Sequence, residues 1–131
     1  MWRLKAKHFW SIIIAVLTFH LRNITIEYTL MLIYNITIQT EWEIHDAWML
    51  WMYETYLPYA MNSGCFEKFQ LVQLLEIDDS EGPTYALQLY AQSKADYNRY
   101  LELYLPQIEQ QSSEKWEGSL ASFATLMQVV E

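Results

Sequence analysis

The sequence predicts an α+β domain, with four antiparallel strands in one sheet, two helices on one of its faces, and the order β-α-β-β-α-β. Three observations predict it. Leu32, Tyr34, Ile36 and Ile38 alternate with Ile33, Asn35, Thr37 and Gln39, the period-two pattern of a half-buried strand. Two later stretches, Ile44–Thr55 and Tyr97–Ile108, place apolar residues at helical spacing. Between them lie two β-compatible runs separated by the turn cluster Asp78-Asp79-Ser80-Glu81-Gly82-Pro83.

The elements follow in order. Thr40 is read as the cap of the first helix, with Glu41 and Glu43 in its first turn, where the helix dipole favours negative charge. Ile44, Trp48, Trp51, Met52 and Thr55 form its apolar stripe, flanked by His45, Met49 and Tyr56. Pro58 is expected to kink or stop it, and Asn62-Ser63-Gly64 to supply the turn that follows. Phe66 to Ile77 reads as the second strand and Thr84 to Gln92 as the third, with Tyr85, Leu87, Leu89 and Ala91 on one face. Ser93-Lys94-Ala95-Asp96 resembles a capping box opening the second helix. Pro106 should bend that helix, and the polar run Gln110–Glu117 reads as its frayed end and a loop. Leu120 to Val130 is the last strand. This is the split-βαβ, ferredoxin-like pattern. The sheet face away from the helices would carry Ile33, Asn35, Thr37, Ala86, Gln88 and Tyr90, a mixed surface suited to a homodimer contact or a ligand cavity.

Composition narrows the function classes. At 131 residues the chain is one domain with at most a short appendage, yet it holds six Trp, ten Tyr and five Phe. That is more aromatic surface than one small core easily hides, which points to an interface or a pocket. Residues 31–131 carry four basic residues against fifteen acidic ones. A body that acidic repels phosphates, so nucleic acid is not an expected partner. Cys65 is the single cysteine, which excludes an internal disulfide and a cysteine-rich metal site. It reads as a small semi-buried thiol, since no cation is visible beside it in sequence.

Residues 1–30 differ from the rest. They are basic, with an apolar run from Phe9 to Phe19 that imitates a signal peptide. The run falls short of the roughly 20 apolar residues that span a bilayer, has no small-x-small cleavage site after it, and is closed by His20 and Arg22. We expect the domain to begin at Met31, with residues 1–30 an extension from a misplaced gene start. The alternative is a genuine hydrophobic segment tethering the protein to a membrane. The expected location is accordingly the cytoplasm. Asn23-Ile24-Thr25 and Asn35-Ile36-Thr37 match the glycosylation sequon by chance on this reading.

Taken together, MLIYNITI, AWMLWM, Tyr56-Leu57-Pro58, NSGCF, DDSEGPTYALQ and SKADYNRYLELYLP resemble a small bacterial family of domains of unknown function, over residues 31–131. The resemblance implies a ferredoxin-like fold akin to the dimeric α+β barrel superfamily, and brings no established activity. The family commonly has His-Ile-Pro where this chain has Tyr56-Leu57-Pro58, and often Phe-Arg-Thr where it has Phe123-Ala124-Thr125. If that His and Arg act on a ligand in the family, this chain lacks both.

Chemistry is sparse. His45, the body's one histidine, would need a substrate within hydrogen-bond reach to act as a base, and reads instead as a polar group at the helix edge. His45 and Asp46 are adjacent on a helix and are expected to point apart, and no metal site is visible. Asp78, Asp79 and Glu81 lack EF-hand spacing. There is no phosphate-binding glycine loop or serine elbow. We therefore expect no catalytic residue, metal or cofactor, and read the chain as a homodimeric interaction or structural protein packed through its open sheet face. The alternative is a cofactor-free enzyme or binder, like the antibiotic-biosynthesis-type monooxygenases, with a small molecule between helices and sheet. Tyr34, Asn35, His45, Trp48 and Tyr90 are the candidate pocket residues.

Overall fold

A computed structural model of the chain describes residues 31–131. The expectations for residues 1–30, the first sequon included, fall outside it. Strand β1 (Leu32–Thr40) sits between β3 (Thr84–Ala91) and β4 (Leu120–Gln128), and β2 (Lys68–Gln73) pairs with the far side of β3. Every pairing is antiparallel. The helical segments run between β1 and β2 and between β3 and β4, which is the predicted order and the ferredoxin-like fold.

Period two sorts the sheet as expected. Tyr34, Ile36, Ile38, Leu87 and Leu89 turn toward the helices and are buried. Met52, Leu87, Leu89, Tyr100 and Ile108 are fully enclosed at the centre of that layer. Burying one such aliphatic side chain is worth about 1.5–3 kcal/mol.

The first helical segment departs from expectation at both ends. Thr40 does not cap it. Thr40 closes β1, where its N–H donates to Pro83 O at 3.1 Å, and its hydroxyl is buried without a partner. The cap position falls to Glu41, whose side chain makes no capping bond. A 3₁₀ turn (Trp42–Ile44) leads into α1 (His45–Trp51), then a π turn (Met52–Tyr56), then α2 (Leu57–Asn62). Pro58 therefore neither stops nor sharply breaks the segment. It lacks the N–H that would bond back to the Glu54 carbonyl, and the wider π turn makes room for its ring.

Ser93 caps α3 (Lys94–Leu103) as expected, its hydroxyl accepting from Asp96 N–H at 3.1 Å. Tyr104 and Pro106 mark the bend into α4 (Leu105–Trp116). The polar run from Gln110 is helical to Trp116, not frayed, because Ile108 and Trp116 anchor α4 in the core. Trp116 meets Trp51 edge-on, with ring centroids 6.0 Å apart. Strand β2 is shorter than expected, since Glu76 takes φ +58° and the chain leaves the sheet after Gln73.

The acidic loop before β3 is clamped onto the end of β1. Trp42 N–H donates to Glu81 O at 3.1 Å and Gln39 Nε2 donates to Gly82 O at 3.3 Å. A Cβ on Gly82 would lie 1.5 Å from Thr40 O, so only glycine fits this crossing. Among the described residues, no helix is long and apolar enough to cross a membrane.

Candidate functional site

The helices do not cover the whole sheet. They seal β3 and most of β1, but on β4 the helix-facing residues Ser122 and Ala124 are small and exposed. Between them and the helices lies a cavity of about 230 Å³. Its floor is Tyr34, Ile36 and Ile38 of β1. One wall is Trp48, Trp51, Met52 and Tyr56 from α1 and the π turn. The facing wall is Leu105, Glu109 and Ser112 of α4, and the open side is β4 with Leu120, Ser122, Phe123 and Ala124.

The π turn is what brings Tyr56 here. Trp48, Met52, Tyr56 and Ala60 recur every four residues and are all buried. On a regular helix of 3.6 residues per turn such a row winds off the buried face. A turn with i→i+5 bonding takes up the excess and keeps Tyr56 over the sheet.

Two phenols line the cavity. Burial, then the Glu109 carboxylate and Tyr97, push Tyr34 up to about 12. Burial raises Tyr56 well above the ordinary tyrosine value, with Tyr100, Tyr34 and Glu109 adding to it. Behind them Tyr100 is enclosed and also raised, first by burial. Its hydroxyl lies close enough to couple to Tyr56 but meets no partner in good hydrogen-bond geometry. At neutral pH these phenols stay protonated, so each carries an O–H that can donate a hydrogen bond.

The predicted pocket residues do not all gather here. Tyr34 and Trp48 line the cavity. Asn35 and Tyr90 stand on the opposite sheet face, as alternation requires, where Asn35 Nδ2 donates to Thr37 Oγ1 at 3.3 Å. His45 lies at the edge of α1, away from the cavity lining. Its ring stacks on Tyr85 with centroids 5.7 Å apart, and its Nε2 is 2.6 Å from the Tyr85 hydroxyl. His45 Nδ1 and Asp46 Oδ1 meet at 3.0 Å, although adjacent helix positions were expected to diverge. With Nδ1–H donating to Asp46, Nε2 accepts from Tyr85. Among the described residues no cluster of His, Cys, Asp or Glu could hold a metal ion.

Sequence reasoning missed Glu109, Ser112 and Ser122, which are unremarkable in their own segments. It also missed a cation beside Cys65. That thiol is buried, and Arg99 Nε donates to its Sγ at 3.3 Å while Nη2 donates to Gly64 O at 3.3 Å.

The family model described as Domain of unknown function (DUF4286) matches residues 31–130. The chain belongs to this family. No curated protein matches the DUF4286 chain. Among solved structures it is similar to a dimeric ferredoxin-like protein from an uncultured marine organism, at 9% identity and TM-score 0.58, covering 78% of this chain and 97% of that one. It is also similar to a protein of unknown function from Nitrosomonas europaea, at 9% identity and TM-score 0.60, covering 79% and 93%. A third is a putative antibiotic biosynthesis monooxygenase from the same organism, at 10% identity and TM-score 0.53, covering 76% and 90%. At such identities the likeness is one of fold.

Proposed function

We propose that this DUF4286 protein binds a small, largely apolar molecule in the helix-side cavity and does so as a homodimer. The observation that carries the reading is the cavity itself, with the Tyr34 and Tyr56 phenols on its lining. A core built only for stability would close over such a space, because an unfilled void forfeits packing energy. An apolar cavity of about 150 Å³ suffices for benzene. The 230 Å³ here has room for one ring with a short substituent. Phenols that stay protonated at neutral pH serve recognition by donation rather than proton abstraction, which favours binding over the monooxygenase-type alternative.

The dimer is supported by the open face of the sheet. Phe123, 64% exposed, stands there beside Thr37, and a depression of about 390 Å³ runs from Phe123 to Leu74. The marine neighbour of like fold is described as dimeric.

Native mass spectrometry of the full chain, purified gently from its own cells, tests both parts. The expected species is a dimer carrying an additional small mass that leaves on activation. Phe123→Glu should give a monomer; because Phe123 also borders the cavity, ligand retention is read on the wild-type chain. A wild-type monomer contradicts the assembly. A chain that never carries or takes up a small molecule contradicts the binding reading.

A further inference from the structure

The lining says what kind of molecule fits, given that the cavity is a binding site as proposed above. Glu109 is the single charged side chain on it. The other polar side chains on it are Tyr34, Tyr56, Ser112 and Ser122. No lysine, arginine or histidine lines the space. Glu109 is exposed to solvent at the mouth of the cavity and makes no ion pair with any described residue.

The placement of these groups is polarised. Glu109 and Ser112 are three apart on α4, so they share one face of that helix. Ser122 stands across from them on β4, and Trp48, Met52 and Ile36 form the apolar interior. The rim thus offers acceptor oxygens from two sides, and the depth offers aromatic and aliphatic surface. The carboxylate also acts on the interior, since it raises both Tyr34 and Tyr56. An anionic ligand would be repelled by that carboxylate, with no cation on the lining to offset it. A neutral ligand would offer it one hydrogen bond at most and no opposite charge. A cation with N–H donors satisfies it, and electron-rich rings favour a nearby cation as well.

We propose that the cavity takes a small protonated amine on an apolar or aromatic body, its ammonium group held at the Glu109, Ser112 and Ser122 rim and its body seated on Trp48, Met52 and Ile36. The experiment compares three probes of one shape on the full chain by isothermal titration calorimetry at low salt. They are 2-phenylethylamine, 2-phenylethanol and 3-phenylpropionate, which are cationic, neutral and anionic.

The expected order is amine, alcohol, acid, with the amine roughly tenfold tighter than the alcohol. Glu109→Gln should remove most of the amine's advantage and change the alcohol far less. Ala124→Leu, which fills the open side, should weaken all binding. Equal affinity for the three probes, or preference for the acid, overturns the amine assignment while leaving the cavity as a binding site. Amine binding that ignores both Glu109→Gln and Ala124→Leu places the cation elsewhere on this acidic surface, and overturns it too. If none of the three binds, the binding reading falls, and this proposal with it.

Discussion

The two halves of this sheet are built from the same alternating pattern and end in opposite states. Over β3 and the inner part of β1 the helix-facing residues are large, and Leu87, Leu89, Met52 and Tyr100 leave no exposed surface. Over β4 the corresponding positions are Ser122, Ala124 and Leu126, and Leu126 is still 38% exposed. One helix, α4, closes the first half with Ile108 and borders the second with Glu109 and Ser112. Side-chain size on the sheet and polarity on the helix therefore decide where the layer is sealed and where it stays open. The sealed half supplies stability, and the open half leaves the cavity.

The largest predicted effect breaks the sealed half. Leu87→Ala should cost about 2–5 kcal/mol in urea unfolding, because its rigid neighbours cannot collapse onto the gap. A loss below about 1 kcal/mol would mean that this half relaxes around the gap and is not tightly packed.

The boundary between the halves should show in alkali. Tyr34 is about 12 in the folded chain against an ordinary value near 10. The folded state therefore holds its phenol proton longer, and this contribution to stability is intact below pH 10. It is lost as pH rises from 10 through about 12. The slope from one group is at most roughly 1.4 kcal/mol per pH unit. Tyr34→Phe should flatten it in unfolding curves measured across that range, and an unchanged slope would place the perturbed phenol elsewhere.

In the open half, Ala124→Leu should leave stability within about 1 kcal/mol, since the position is exposed, while small-molecule binding falls at least tenfold. Binding that survives the change would detach the site from β4. The smallest effect lies far from the cavity. Ser93→Ala removes the α3 cap and should cost about 1 kcal/mol by thermal melting, with ligand affinity untouched.

Much of the sealed half was legible in the sequence. The alternation in β1 and β3 assigned Tyr34, Ile36, Leu87 and Leu89 to the buried face, and Ser93 marked the α3 start. Period two also separates Tyr34 from Asn35, so both could not belong to one pocket; the candidate set that combined them spanned two faces. The π turn left a trace as well, since Trp48, Met52, Tyr56 and Ala60 keep a strict spacing of four with Pro58 among them. The helical end of α4 was hidden because its composition is polar, and only Ile108, Ser112 and Trp116, again four apart, hinted that one edge faces inward. The cavity had no signature of its own. It exists because β4 lies beside β1 and carries small residues opposite α4, a long-range coincidence that no local pattern encodes. Arg99 meeting Cys65 across 34 positions is of the same kind.

The proposed binding site is the space between β4, Trp48 and α4. Crystals of the full chain soaked in iodobenzene test it most directly, because the iodine is located by its anomalous signal. An iodine peak is expected within that cavity and is lost in Ala124→Leu crystals. Iodine found only on the open sheet face, or a cavity closed by its own side chains, would contradict it.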